Sequence, residues 1–177
     1  MKKLSPLGVK ILKMFHILFA FSWIVGASSM MLLSVLSNPQ TGDELYMNAR
    51  IIQIIDDYFV VGGAFGSLIT GLIYSIFTNW GFAKNRWIAV KWCLTIVQMV
   101  FGTFVLGPFI NGNVEIADKL RDAAFTDSEF ISNAKGTLLW GSVQVFVLYL
   151  YIVISVQKPW KKKNAKAHQN SSLSRVP

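Results

Sequence analysis

Four long apolar stretches divide the chain, and each is typical of a helix that crosses a bilayer. A hydrocarbon core of about 30 Å requires roughly 20 apolar residues in an α-helix. The sequence therefore predicts membrane spans over residues 8–36, 58–77, 86–107 and 131–157. We expect an all-α membrane protein, a four-transmembrane-helix bundle in which Pro108 ends the third helix.

Two polar segments between the spans carry the signals of helix starts. Thr41 followed by Glu44, and Thr126 followed by Glu129, have the spacing of a capping box. The first box predicts that the second helix begins well before its apolar part. Between the third and fourth spans we expect a short amphipathic helix over residues 114–125.

Charge is divided unequally between the connections of the predicted bundle. Most of the 17 Lys and Arg residues lie in the N-terminus, between the second and third spans, and after the fourth span. All nine Asp and Glu residues lie in the other two connections. By the positive-inside rule, both the N- and the C-terminus are predicted to be cytoplasmic.

Composition supports the same organisation. The chain is 53% hydrophobic and 15% charged, whereas soluble domains are about 25% charged. We predict a membrane domain over residues 1–157 and a basic, disordered tail over residues 158–177. The net charge of +8 then reflects topology and attraction to anionic lipid headgroups, and no nucleic-acid partner is expected. The first apolar stretch is too long for a signal peptide, so we expect it to remain as a span.

Two ionisable side chains lie inside the predicted spans, His16 in the first and Lys91 in the third. An ionisable group at mid-span costs about 2.5 to 3.5 kcal/mol and usually faces the protein interior. Both spans enter from the same side, so the two side chains are predicted to lie at a similar shallow depth and to face one another. The alternatives are that His16 only bonds a neighbouring helix, and that Lys91 extends to the lipid headgroups.

Each span has one face of small or polar residues, as a compact bundle requires. On the second span Gly63, Ser67 and Gly71 follow at four-residue steps, a spacing that lets helices approach closely. This ridge is also a predicted surface for a homo-oligomer. The predicted inward-facing residues are His16, Trp23, Gly63, Ser67, Gly71, Lys91, Gln98, Gly141, Gln144 and Tyr151.

Other candidate chemistry is sparse. No Gly-rich phosphate loop, HExxH or CxxC motif occurs. Asp56 and Asp57 are predicted to be interfacial charges, with a cation site as the weaker alternative. One histidine within the spans excludes a bis-histidine haem site in a monomer. The candidates for a second iron ligand beside His16 are Lys91, Met14, Met30 and Met99, or there is none.

A short pattern in two spans resembles a known superfamily of small bacterial membrane proteins. The pattern is His16, Trp23 and Gly26 in the first span, with Trp87-Ile-Ala-Val-Lys91 opening the third. The superfamily includes the copper-resistance D domain, the four-helix membrane protoporphyrinogen oxidase, and an uncharacterised family of predicted integral membrane proteins. The chain looks most like this last family, over residues 8–157.

The resemblance implies a site and a location. In the oxidase branch, the first-span histidine and the third-span lysine are functional residues associated with a b-type haem, so those roles would fall on His16 and Lys91. The candidate haem-binding set is then His16, Lys91, Trp23 and Gln98, with His16 as the iron ligand. The implied location is the cytoplasmic (inner) membrane of a bacterium, as a multi-pass protein.

Three hypotheses about function follow. The first is a membrane protein that binds a tetrapyrrole, b-type haem, in a redox or haem-related role. The second is a non-enzymatic membrane protein, a small transporter or an assembly partner, in which His16 and Lys91 are structural or proton-coupled. The third is metal transport of the copper-resistance type. Copper handling normally requires several soft ligands on one face, and the scattered methionines do not supply them.

Overall fold

The computed structural model describes residues 3–78 and 86–157, and the regular secondary structure in these ranges is helical throughout. Four continuous helices are long and apolar enough to cross a membrane. This confirms the prediction of an all-α, four-helix membrane protein. The predicted tail, residues 158–177, lies outside the described residues. The α-helical segments are α1 (Pro6–Leu36), α2 (Gly42–Ile55), α3 (Gly62–Phe77), α4 (Arg86–Phe101), α5 (Gly107–Leu120) and α6 (Ser128–Gln157).

The second helix is longer than its apolar part, as the capping box predicts. A π-helical turn, Asp56–Val61, joins α2 to α3 without a break. At the start of α2, Thr41 Oγ1 accepts a hydrogen bond from the backbone N–H of Glu44 at 3.3 Å. The Glu44 carboxylate accepts from the backbone N–H of Gln40 at 2.7 Å. Both halves of the cap therefore form, although the second uses the residue before Thr41.

The expectation that Pro108 ends the third helix is wrong. A π-helical turn, Gly102–Leu106, joins α4 to α5, and the Gly107 N–H bonds the carbonyl of Gly102, five residues back. Pro108 then lies in the first turn of α5. A proline in the first turn breaks no α-helical hydrogen bond, because its missing N–H has no α-helical partner there. The wider π turn thus allows the helix to continue through the proline.

The polar connection before α6 continues α5 and is not a separate helix. Residues 114–125, predicted as a short amphipathic helix, are divided between α5 and a 3₁₀ segment, Arg121–Thr126. Asp127 caps α6, since its Oδ1 accepts from the Phe130 N–H at 2.8 Å. Thr126, the predicted cap, instead donates its hydroxyl to a backbone carbonyl at 3.2 Å. The predicted cap is therefore wrong by one residue.

α2 and α5 pack on each other in a layer at one end of the molecule. The apolar core of this layer consists of Leu45, Ala117 and Ala124. Gly42 is required there, because a Cβ at this position would lie 2.2 Å from the backbone nitrogen of Asp122. We call this the acidic end, because the nine Asp and Glu residues lie in or next to this layer. The opposite end, where α1 begins, is the basic end.

α1 and α3 have the closest packing in the bundle. Gly63 lies directly against α1, where a Cβ would be 2.6 Å from the backbone nitrogen of Trp23. Gly63 and Ser67 are both buried. Most of the ridge formed by Gly63, Ser67 and Gly71 therefore holds two helices of one chain together. A homo-oligomer stays a prediction.

α4 is held mainly by α6 and by long side chains. Gln98 Nε2 donates to the carbonyl of Gln144 on α6 at 2.9 Å. Trp92 Nε1 donates to Ser75 Oγ on α3 at 3.3 Å. Close backbone packing of α4 against α1 and α3 is sparse. The space that this arrangement leaves at the basic end is a cavity.

Candidate functional site

The cavity lies among α1, α3, α4 and α6 in the basic half of the bundle and has a volume of about 770 Å³. We call it the central cavity. Its size is within the range of about 300–1,000 Å³ that is typical of small-molecule sites. Its walls are mostly apolar and aromatic, including Phe21, Tyr74, Trp87 and Trp92. A flat, apolar ligand is the kind that such walls would hold.

The inner end of the central cavity is closed by a tightly packed cluster. Trp23, Leu148 and Tyr151 line it there and are all buried. The Trp23 and Tyr151 rings meet edge to face, with their centroids 6.4 Å apart. Trp23, a predicted site residue, therefore forms the floor of the cavity.

His16 enters the cavity from α1 with its ring held by α3. Its Nδ1 lies 2.9 Å from Thr70 Oγ1. The Thr70 hydroxyl lies 2.6 Å from the carbonyl oxygen of Gly66, to which it donates its proton. Thr70 then accepts from His16, so the network assigns the proton of the neutral imidazole to Nδ1. The lone pair of His16 is therefore on Nε2, the arrangement by which a second group orients a metal-binding histidine.

Gly71 keeps space open beside this histidine. It lines the cavity between two rings, and a Cβ there would lie 3.5 Å from His16 Cε1 and 3.9 Å from Trp92 Cζ2. A larger side chain would fill the gap between the two rings. This small residue, predicted only as part of a packing ridge, thus shapes the cavity.

Lys91 lines the same cavity from α4, as its predicted depth required. Its Nζ donates to Ser155 Oγ on α6 at 2.7 Å, and Ser155 in turn donates to the carbonyl of Tyr151 at 2.6 Å. One hydroxyl satisfies one of the three ammonium protons. The remaining two are free to meet a ligand, because within residues 3–78 and 86–157 Lys91 forms no ion pair.

The cavity carries positive charge without a compensating acid. Lys13 and Lys91 both line it. All nine Asp and Glu residues lie between positions 43 and 129, and none of them is a lining residue. Two cations beside apolar walls favour a ligand that combines an anionic group with a large apolar body.

The fourth predicted site residue, Gln98, does not line the cavity. It is buried between α4 and α6, where its amide bonds the backbone of Gln144 at 2.9 Å. Gln98 and Lys91 share a helix face, but Gln98 lies about two turns further along α4. The two polar residues on this face of α4 therefore have different surroundings: Gln98 contacts α6, and Lys91 lines the cavity.

The methionines predicted as second iron ligands do not line the cavity either. Met14 is half exposed, Met30 is buried near the acidic end with Leu106, and Met99 packs beside the cluster that closes the cavity. In the described parts of the chain, no group of three or more His, Cys, Asp or Glu side chains could hold a metal ion.

Sequence reasoning missed two residues of this site, Thr70 and Lys13. Thr70 lies three residues after Ser67 on the face of α3 that meets α1, so extension of the small-residue ridge by helical spacing would have found it. Lys13 lies three residues before His16 on α1, and it was read only as a topology signal.

Comparison with known families identifies the chain as a member of a membrane protein family. The model of a family described as "Predicted integral membrane protein (DUF2269)" matches residues 10–159, so the chain belongs to this family. This confirms the resemblance to a family of predicted integral membrane proteins. Searches of curated proteins and of solved structures give no match.

Proposed function

We propose that this DUF2269 protein binds a b-type haem in its central cavity, where His16 would hold the iron. The observation that carries the proposal is the orientation of His16. His16 Nδ1 lies 2.9 Å from Thr70 Oγ1. Because Thr70 donates its own proton to the Gly66 carbonyl, we assign the imidazole proton to Nδ1 and the lone pair to Nε2. A metal-ligating histidine is usually a neutral imidazole whose other nitrogen donates a hydrogen bond to a neighbouring group.

The cavity also fits the rest of the proposed ligand. Its aromatic and aliphatic walls suit the macrocycle, and Gly71 leaves room beside the histidine ring. The ammonium groups of Lys13 and Lys91 suit two propionates, since no Asp or Glu side chain lines the cavity beside them. A haem bound there would supply an iron centre for electron transfer or other redox chemistry.

The donor set supports a single protein ligand to the iron. The methionines lie elsewhere, and Lys91 Nζ is already bonded to Ser155 Oγ at 2.7 Å. An ammonium that bonds a hydroxyl and a propionate stays protonated, and a protonated amine cannot ligate a metal. We therefore assign Lys91 to the propionates and His16 alone to the iron.

An absorption spectrum tests the proposal directly. Protein produced with added haem and purified in detergent is expected to show a Soret band. His16→Ala should lose the band, and imidazole added to His16→Gly should restore part of it. His168→Ala is the matched control, because the chain has only these two histidines. A colourless wild type after haem supplementation would refute haem binding.

A structural role for the same residues is the second candidate, and two contacts favour it. His16 joins α1 to α3 through Thr70, and Lys91 joins α4 to α6 through Ser155. Hydrogen bonds between membrane helices contribute about 0.6 kcal/mol on average. Under this alternative, His16→Ala would lower the thermal stability of a protein that has no visible spectrum.

A further inference from the structure

We infer that the central cavity is filled sideways from the lipid, through an opening between α1 and α6, by an amphiphile dissolved in the leaflet at the basic end. This rests on the proposed function, since haem is an amphiphile with an anionic edge, and it adds the route by which such a ligand arrives. The route follows from the shape of the cavity and from the order of charged and apolar residues along it.

The cavity extends onto the lipid-facing surface of the bundle. Ile17 on α1 and Val156 on α6 both line it, yet they are 54% and 75% exposed. Phe21 and Ile152 line it as well and are also largely exposed. Residues that line a cavity and are exposed at the same time mark its rim. Two of these rim residues lie on α1 and two on α6, so the opening lies between these helices.

The same two helices are in contact nearer the acidic end. Ser28 Oγ lies 3.2 Å from the Tyr149 hydroxyl, and a Cβ at Gly141 would lie 2.6 Å from the Met31 side chain. α1 and α6 are therefore in contact on the acidic side of the cavity floor, and they are separated by the opening on its basic side. In the described residues the opening is limited to the basic half of the bundle.

The residues on the α1 side of this opening follow the order of charged and apolar parts in a lipid leaflet. Lys13, Ile17 and Phe21 follow at four-residue steps on one helix face, which spans about 12 Å at 1.5 Å per residue. The charge lies toward the basic end, and the apolar residues extend toward the middle of the bilayer. An incoming molecule with its anionic group at the headgroups would meet Lys13 first and lay its apolar part along Ile17 and Phe21.

The route can be measured without haem by labelling a cysteine inside the cavity. Ala20 lines it and is partly buried. Ala20→Cys would be made in a Cys93→Ser background, which removes the native thiol, and reconstituted into vesicles. A maleimide on an alkyl chain and a maleimide carrying a sulfonate would be compared. Each rate would be divided by the rate of the same reagent on denatured protein.

The alkyl reagent is expected to label Ala20→Cys several-fold faster than the sulfonated one. Ile17→Trp should slow the alkyl reagent several-fold, because the indole narrows the opening. Leu18→Trp is the matched control: Leu18 is also 54% exposed but does not line the cavity, so its rate should not change. Equal normalised rates for the two reagents, or equal slowing by both tryptophans, would overturn the inference.

Haem transfer separates this inference from the proposed function. Haem preloaded into vesicles is expected to enter Ile17→Trp more slowly than Leu18→Trp, measured as the rate constant of Soret growth normalised to the final absorbance of each variant. If no variant or wild type binds haem but the labelling pattern holds, the haem proposal fails and the lateral route stands. If haem binds but the two tryptophan variants load at equal rates, the lateral route fails and the haem proposal stands.

Discussion

Two neighbouring glycines on α3 should differ in how alanine changes the stability of the protein. A Cβ at Gly62 would meet nothing within 4 Å, whereas a Cβ at Gly63 would lie 2.6 Å from the backbone nitrogen of Trp23 and 2.8 Å from the carbonyl oxygen of Phe19. Both close contacts are with backbone atoms. A side chain cannot rotate away to relieve them, so α1 must move away from α3 in Gly63→Ala.

The expected magnitudes follow from two terms. Alanine is more stable than glycine within a helix by roughly 0.8–1 kcal/mol, and Gly62→Ala should gain about this amount. Gly63→Ala has the same gain but adds an overpacking cost of about 1–3 kcal/mol. The free energy of unfolding of Gly63→Ala should thus be lower than that of Gly62→Ala by about 1–3 kcal/mol.

The movement of α1 away from α3 in Gly63→Ala should also affect His16. Thr70 lies about two helical turns from Gly63 on the same helix, and its Oγ1 is 2.9 Å from His16 Nδ1 across the same pair of helices. A separation of these helices by roughly 1 Å would take this pair beyond the usual limit of about 3.2 Å for a hydrogen bond to nitrogen. Gly63→Ala should therefore weaken the binding of any ligand that depends on the orientation of His16, whereas Gly62→Ala should leave that binding unchanged.

Thermal or denaturant unfolding in detergent, followed by circular dichroism, measures the stability difference. The two variants have the same composition, so differences in detergent binding and helix propensity largely cancel. A Gly63→Ala protein as stable as Gly62→Ala would show that α1 and α3 are not as close as described. That result would also remove the basis for the His16–Thr70 contact.

Two further variants test the charge in the cavity and the start of α6. Lys91→Met removes a cation whose burial in a span costs about 2.5–3.5 kcal/mol, together with one hydrogen bond to Ser155. We expect the variant to have a higher melting temperature but to bind haem more weakly in titrations. A lower melting temperature with unchanged binding would contradict the role given to Lys91. Asp127→Ala removes the side-chain cap that accepts from Phe130 and should lower the unfolding free energy by about 0.5–2 kcal/mol. Thr126→Ala is its control and should change stability little, so equal losses for the two variants would argue against Asp127 as the cap.

The membrane helices and the depth of the site were predictable because they depend on local pattern. Apolar length alone predicts four spans, and the positions of His16 and Lys91 within helices that start at the same end predict a common depth. The structure places both side chains at one cavity. The pattern did not predict that the helix continues through Pro108. That continuation depends on a π turn, which is a feature of backbone hydrogen bonding and has no signal in the sequence comparable to hydropathy.

The division of roles among polar residues was also beyond the sequence. Gln98 and Lys91 share one face of α4, and helical periodicity treats them alike. They differ in the structure because α6 contacts α4 at Gln98 through the carbonyl of Gln144 but leaves space beside Lys91. Similarly, the ridge of Gly63, Ser67 and Gly71 was equally consistent with contact within one chain and contact between chains, and the structure shows Gly63 packed against α1 of the same chain.

The placement of charge around the central cavity supports the proposal that its ligand is anionic. A lysine that served only to join α4 to α6 could be replaced by a neutral hydrogen-bonding residue, without the cost of a buried cation. The Ser155 hydroxyl supplies an acceptor for Lys91 but no negative charge. All nine Asp and Glu side chains lie between positions 43 and 129, and none of them lines the cavity. On our proposal this charge is balanced by the anionic group of the bound ligand. The rim residues Ile17 and Val156 are exposed, so the proposed amphiphile would reach Lys91 from the lipid without crossing the packed cluster at Trp23.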